Sequence, residues 1–157
     1  MNEALPTGPG SGALELRLER QLPATPERVF AAFTDEEQFA QWWGPEGMTC
    51  PHAEIDARVG GRYRASIRQP NGTQMWVGGV YREVDPPRRL VFTWAWEDNT
   101  VPGQEMLVAL TFEPSGAGTR LSLQQTQFPS NESRGQHEHG WLSTLNCLEQ
   151  YLLGGKA

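Results

Sequence analysis

The sequence predicts an α+β fold in which a curved antiparallel β-sheet of about six to seven strands wraps around one long C-terminal helix. Three observations support this prediction. Residues 14–22 alternate strictly between apolar and polar side chains, as a half-buried strand does. Residues 48–128 form a meander of strands and short turns, with a hairpin signal at Asn71-Gly72. Apolar side chains in residues 131–153 recur at steps of three and four, which is typical of an amphipathic helix.

Two short helices are predicted between the first strand and the meander. Thr25 can cap the first helix, and Pro26 suits its first helical position. Asp35 can cap the second helix, which a Gly-Pro pair stops directly after Trp42 and Trp43. A plain core helix would continue beyond such large side chains. We therefore expect the chain to turn a corner here, at the mouth of a cavity.

Glycines inside the predicted elements indicate special packing. Gly78-Gly79 interrupts a strand and predicts a bulge or a close approach of two backbones. Gly135 and Gly140 each cost the last helix roughly 1 kcal/mol relative to alanine. Because Gly140 lies beside Trp141, we expect another group to pack closely against the helix backbone there.

Length and composition limit the classes of protein that this chain can belong to. It has 157 residues, 38% of them hydrophobic, which is enough for one domain with a real core. We assign this domain to residues 14–153, after a flexible arm (1–13) and before a short tail (154–157). The formal net charge of −6 disfavours nucleic-acid partners. No apolar run reaches the ~20 residues of a membrane span, and no secretory signal is present, so we expect a cytoplasmic protein.

Several stretches, in one order, resemble the family of activator of heat-shock-protein-90 ATPase homologues (AHSA-like), within the SRPBCC, or START/Bet v 1-like, superfamily. They are PERVFAAFTDEEQFAQWWGPEGMT, VGGRYR, GVYREVDPPRRLVFTW, GTRLSLQQTQF and HEHGW. The resemblance covers about residues 14–153. It implies the helix-grip fold, with a cavity between sheet and long helix that can take a hydrophobic ligand. The Rieske-cluster and mononuclear-iron motifs of the superfamily's oxygenases are missing, so that activity is not implied.

The candidate ligand-binding residues are large or polar side chains that we expect on the inner side of the sheet and helix. They are Arg20, Trp42, Trp43, Tyr63, Phe92, Trp94, Trp96, Leu110, Leu123, Gln125, His137, Trp141 and Leu145. For the aromatic side chains the alternative is an ordinary hydrophobic core.

Three polar candidates each have two interpretations. Gln125 shares a predicted strand face with Gln127 and could orient a ligand's polar end, or the strand could leave the core there. Arg20 could meet an anionic ligand or form an ion pair with an acidic residue. His137 could act as a general acid, a general base or a hydrogen-bond donor, or be a satisfied histidine near the helix start.

The leading functional hypothesis is a protein that binds a small hydrophobic or aromatic molecule. The alternatives are a chaperone-activator-type interaction module and a cyclase- or dehydratase-like enzyme that uses Arg20, His137 or Gln125. No catalytic motif is found, and no cofactor or metal site is predicted; the free thiols of Cys50 and Cys147 are expected to be reduced and buried. Exposed sheet edges make a homodimer possible. A chaperone partner is a weaker expectation, because only about 13 residues precede the first strand and the co-chaperone has a large N-terminal domain there.

Overall fold

The computed structural model describes residues 14–97 and 105–154 of the chain. In chain order its elements are β1 (Leu14–Leu22), α1 (Pro26–Thr34), α2 (Glu36–Trp42), β2 (Ala53–Ile55), β3 (Arg62–Arg68), β4 (Gln74–Asp85), β5 (Arg89–Trp96), β6 (Met106–Ser115), β7 (Gly118–Phe128) and α3 (Asn131–Leu152). The predicted arm, most of the predicted tail and the middle of the predicted loop between β5 and β6 lie outside the described residues.

All seven strands form one antiparallel sheet in the order β1-β7-β6-β5-β4-β3-β2. Two short helices follow the first strand and one long helix ends the domain, so the predicted α+β helix-grip fold is confirmed. The strands at the two edges are β1 and β2. A homodimer that paired through the sheet, as the sequence made possible, would use one of these two edges.

The helix starts form where the sequence supplies capping side chains. The Thr25 hydroxyl accepts a hydrogen bond from the backbone N–H of Arg28, at 3.3 Å. The Asp35 carboxylate accepts one from the N–H of Glu37, at 3.0 Å. In α3 the Ser130 hydroxyl accepts a hydrogen bond from the N–H of Ser133, at 3.0 Å. Each cap satisfies a donor that the helix itself leaves free.

The C-terminal half of α3 is fixed to the sheet. Leu145 and Leu148 of this half are almost fully buried. On β1, the Arg20 guanidinium donates to Glu149 at 2.7 Å and to Asn146 at 2.6 Å, both on α3. The interpretation of Arg20 as part of an ion pair is therefore confirmed. The N-terminal half of α3 extends beyond this contact, over the ends of other strands.

The glycine predictions had different outcomes. A Cβ at Gly78 would lie 2.7 Å from the Tyr63 carbonyl oxygen, and one at Gly79 would lie 2.1 Å from the Thr93 carbonyl oxygen, so the predicted close backbone approach is confirmed. At Gly140 the prediction is wrong, because a Cβ there would meet nothing within 4 Å. Gly140 faces open space.

The prediction that Gln127 shares the inner face with Gln125 is also wrong. The pairing of β1 with β7 shifts register between Leu14 and Glu15, opposite Phe128 and Thr126. Gln127 is the extra residue in this bulge, and its backbone takes a φ of 73°. Because a bulge re-aims the side chain it contains, Gln127 is exposed while Gln125 stays buried.

Candidate functional site

A cavity of about 480 Å³ lies between the first half of α3 and the ends of strands β3 to β6. Its volume falls within the usual range for small-molecule sites. It is lined by Trp43, Pro45, Ile67, Met75, Trp94, Trp96, Met106, Pro129, Ser130, Glu132, Ser133, Gln136, His137, Gly140, Trp141 and Thr144. Most of these side chains are aromatic or aliphatic, so the cavity offers mainly apolar contact.

Four tryptophans from three parts of the chain form one side of the cavity. Trp43 follows α2 directly, Trp94 and Trp96 lie on one face of β5, and Trp141 lies on α3. Ring centroids are 5.5 Å apart for Trp43 and Trp141, 5.4 Å for Trp94 and Trp141, and 5.6 Å for Trp94 and Trp96. The first and third pairs are edge-on, which is a favourable arrangement for aromatic rings, and Trp94 and Trp141 are tilted relative to each other. We call this set, Trp43, Trp94, Trp96 and Trp141, the indole wall.

His137 joins the indole wall to α3. Its Nε2 accepts a hydrogen bond from Trp96 Nε1–H, at 3.0 Å. Its Nδ1 lies 2.8 Å from the backbone carbonyl oxygen of Ser133 and therefore donates. Both bonds together require the neutral imidazole with its proton on Nδ1. Burial lowers the pKa of His137 below its usual 6.5, and the bond to Ser133 offsets only part of that effect.

Gln125 supports the indole wall from behind. Its side-chain oxygen accepts a hydrogen bond from Trp141 Nε1–H at 2.8 Å, and its nitrogen lies 3.5 Å from the Met106 sulfur. The Gln125 side chain is fully buried and does not line the cavity. A buried amide with both ends engaged fixes the orientation of Trp141.

The cavity mouth is polar and lies at the start of α3. Ser130, Ser133 and Gln136 line it together with Glu132, and both Glu132 and Gln136 are exposed. Among the described residues that line the cavity, Glu132 is the one that carries a charge at neutral pH. Glu132 has no ion-pair partner among the described residues.

The segment after α2 turns the predicted corner. Gly44 has a φ of 112°, which side chains rarely adopt, and this bend lies between Trp43 and Pro45, which both line the cavity. Trp42 points into the core, where its Nε1–H donates to the Ala32 carbonyl oxygen at 3.0 Å. Trp43 lines the cavity. The Glu46 backbone N–H donates to the Ser143 hydroxyl at 2.8 Å, so the corner is also attached to α3.

Of the thirteen candidate ligand-binding residues, the structure brings five to the cavity. These five are Trp43, Trp94, Trp96, His137 and Trp141. The other eight do not line it; they are Arg20, Trp42, Tyr63, Phe92, Leu110, Leu123, Gln125 and Leu145.

The eight candidates that do not line the cavity lie elsewhere for different physical reasons. Tyr63 and Phe92 surround a separate void of about 20 Å³, about large enough for one water molecule, and the Tyr63 hydroxyl donates to the Thr93 carbonyl oxygen at 2.6 Å. The leucines among the eight pack in the closed core between sheet and helices. Arg20 lies at the opposite half of α3, where it contacts Glu149.

Sequence reasoning did not identify the rest of the lining. Ile67, Met75 and Met106 come from three strands whose inner faces carry many apolar residues, so nothing local distinguishes them. On α3 the spacing of four residues would have identified part of the cavity lining. Glu132, Gln136, Gly140 and Thr144 recur every fourth residue and therefore share one helix face, and the glycine among them leaves room.

The cysteine side chains lie outside the cavity. Cys50 is buried and Cys147 is half-buried, and both are free thiols. The Cys50 thiol donates to the His52 carbonyl oxygen at 3.3 Å, and burial raises its pKa to about 11.

In residues 14–97 and 105–154, no three metal-binding side chains come together. Within those same ranges no helix is long and apolar enough to cross a membrane.

A curved antiparallel sheet that grips a long helix, with a cavity between them, defines the helix-grip class of proteins. The family described as "Activator of Hsp90 ATPase homolog 1-like protein" matches residues 23–153. The chain belongs to this family, and the resemblance found in the sequence is confirmed. Among curated proteins, no significant match was found.

Solved structures support the same assignment. The chain is 35% identical to a protein from Chromobacterium violaceum, with a TM-score of 0.81 over 88% of this chain and 96% of that one. It is 35% identical to the AHSA1 protein from Silicibacter pomeroyi, with a TM-score of 0.80 over 89% and 98%. An AHSA1-like protein from Aeromonas hydrophila, 20% identical over 90% and 93% of the two chains, shares the fold with a TM-score of 0.74.

Proposed function

We propose that this protein binds a small hydrophobic or aromatic molecule in the cavity between the sheet and α3. The observation that supports this best is a cavity of about 480 Å³ with the indole wall on one side. A core of ordinary packing density leaves few voids larger than one water molecule. Here the space is far larger, and it opens beside a polar helix start. Such a combination is typical of a ligand site.

Lining chemistry favours an apolar ligand. Ile67, Met75 and Met106 line the cavity together with the indole wall, and Met106 is the cross-strand neighbour of Trp94, so a ligand would contact mainly apolar side chains. Removing apolar surface from water contributes about 25 cal/mol per Å². Methionine and tryptophan also adapt well to flat aromatic molecules.

The two other functional hypotheses have less support. A filled core with an exposed apolar or charged patch would favour an interaction module. In the described part of the chain, the large exposed apolar side chains are Val59 in a turn, Leu142 on α3 and Leu153 just after α3, and they form no continuous patch in the sequence. An enzyme that used His137 would need a free ring nitrogen, and both nitrogens are engaged.

Filling the cavity from the helix tests the proposal. In Gly140→Leu the new side chain would enter the open space beside Thr144, on the helix face that lines the cavity. We expect the affinity for the neutral fluorescent probe N-phenylnaphthylamine to fall by about tenfold or more, because the ligand would lose that volume. Helix stability should rise, because glycine is the poorer helix former.

Gly135→Leu is the matched control. Gly135 is also a helical glycine at which a Cβ would meet nothing within 4 Å, but it does not line the cavity. Its leucine variant should bind the probe as the parent does. Equal loss in both variants, or no probe binding by the parent protein, would contradict the proposed function.

A further inference from the structure

We propose that the ligand of this cavity carries a positive charge, as an apolar amine or quaternary ammonium compound does. This inference rests on the proposed function and specifies its ligand class. Two features support it independently: the charges around the cavity and the surface that the indole wall presents.

Charge at the cavity is negative. Glu132 is the charged lining residue in the described part of the chain, and no lysine or arginine side chain lines the space there. His137 is held neutral by its two hydrogen bonds. An anionic ligand would therefore lose its hydration without gaining a cationic partner.

Of the three arginines close to the cavity in sequence, two are paired with carboxylates. Arg134, on the first turns of α3, lies 3.6 Å from the Glu138 carboxylate. Arg64 lies 2.7 Å from the carboxylate of Glu97, the residue that follows Trp96. The third, Arg68, is exposed, does not line the cavity and has no ion pair among the described residues. Glu132 lines the cavity and likewise has no ion-pair partner there.

The indole wall supplies the second feature. The face of a tryptophan ring carries partial negative charge and attracts a cation within about 6 Å of its centre, more strongly than tyrosine or phenylalanine does. Trp96 is half-buried and lines the cavity, so it is the member of the indole wall whose ring a ligand can best contact. Trp43, Trp94 and Trp141 are at most 5% exposed, so they present little open ring surface and mainly support Trp96.

Two features could favour other ligands. The start of α3 carries a partial positive charge of about half a unit, but the full negative charge of Glu132 in the same turn exceeds it. Trp43 and Trp94 have indole N–H groups without a hydrogen-bond partner among the described residues, which could suggest a neutral ligand with an acceptor oxygen. Both nitrogen atoms are themselves buried, so they do not lie at the cavity surface.

Three ligands of equal size and different charge test the proposal. Benzyltrimethylammonium is a cation, neopentylbenzene is its uncharged isostere, and benzylsulfonate is an anion of similar shape. Displacement of N-phenylnaphthylamine from the full chain gives the three dissociation constants. We expect the cation to bind about threefold or more tighter than neopentylbenzene, and about tenfold or more tighter than benzylsulfonate.

A charge variant identifies the residue responsible. Glu132→Gln should weaken the binding of benzyltrimethylammonium about threefold at low salt and leave neopentylbenzene unchanged. The matched control is Glu27→Gln. Glu27 is also an exposed glutamate in the first turn of a helix, α1, and does not line the cavity, so its variant should behave as the parent does.

The outcomes separate this inference from the proposed function. If neopentylbenzene binds as tightly as the cation, or if benzylsulfonate binds best, the positive charge is wrong and hydrophobic binding stands. If Glu132→Gln and Glu27→Gln weaken the cation equally, the local role of Glu132 is wrong. If none of the three ligands and not even the fluorescent probe binds, both proposals fail.

Discussion

Two hydrogen bonds hold individual side chains of the indole wall in place. Trp96 donates to His137 at 3.0 Å, and Trp141 donates to Gln125 at 2.8 Å. Both acceptors are largely or fully buried, so each would lose a partner that water could not easily replace. The shape of the cavity therefore depends on the protonation of one imidazole and on the orientation of one amide.

At His137 we expect a pH-dependent contribution to stability. Its pKa lies below 6.5 in the folded protein, because burial disfavours the charged form. Between that lowered pKa and about 6.5, the unfolded chain binds a proton that the folded chain does not. The free energy of unfolding should therefore fall as the pH falls through this window, and this contribution should be level above it.

Urea unfolding at several pH values between about 5.5 and 7.5 measures this contribution. His137→Gln keeps a side-chain acceptor for Trp96 but cannot titrate, so its pH dependence should be weaker than the parent's. His139→Gln removes an exposed histidine two residues along α3 and should retain the parent's profile. Identical profiles for His137→Gln and the parent would contradict the assignment.

At Trp141 we expect a substitution to lower the stability of the protein, and a second substitution at Gln125 to restore much of it. Trp141→Phe removes the indole N–H and leaves the buried Gln125 oxygen without this donor, which should lower the free energy of unfolding by about 1–3 kcal/mol. In the double variant Trp141→Phe/Gln125→Met the unpaired oxygen is gone, and much of the loss should be recovered. A double variant less stable than Trp141→Phe would show that the pair contributes little.

Among the structural elements, α3 has two halves with different roles. Its C-terminal half packs through Leu145 and Leu148 and is fixed to β1 by Arg20. Its N-terminal half borders the cavity and includes Gly135 and Gly140. Both glycines lower the helix propensity of the half that lacks the strongest packing. Anchoring at one end therefore determines where the other end lies over the cavity.

Breaking this anchor tests the division of α3. Arg20→Met keeps the apolar stem of the side chain but removes its bonds to Glu149 and Asn146. Because the Arg20 side chain is only 24% exposed, we expect the free energy of unfolding in urea to fall by about 1 kcal/mol. Arg17→Met, at a β1 arginine that is 72% exposed and pairs with Glu15, should cost less than about 0.5 kcal/mol. Equal costs would contradict the anchoring role.

Element prediction from the sequence was accurate where one local rule decides the structure. Capping at Thr25 and Asp35 and the alternation of residues 14–22 were sufficient to place α1, α2 and β1. Prediction failed at Gln127 because a bulge reverses the alternation, and nothing in the local pattern indicates where a register shift occurs. At Gly140 the special role of the glycine was recognised, but it leaves space instead of admitting a close neighbour.

On the scale of the whole molecule, the order of elements was predictable and the position of the cavity was not. Inner-face residues such as Phe92 and Trp94 lie two apart on the same strand, yet only Trp94 lines the large cavity. Which of them borders open space depends on how α3 and the segment after α2 approach the sheet. That is a property of several distant elements together. Local periodicity therefore predicts that a side chain points inward, without predicting what it meets there.

The indole wall has an optical consequence. Because neighbouring rings have centroids within 5.4–5.8 Å, their electronic transitions couple, and light absorbed by one indole is shared with the others. The near-ultraviolet circular dichroism and the intrinsic emission of the protein will report on the group as a unit. A molecule bound in the cavity, as we propose, would change the surroundings of this coupled group. The indoles would then serve as a built-in spectroscopic reporter of cavity occupancy.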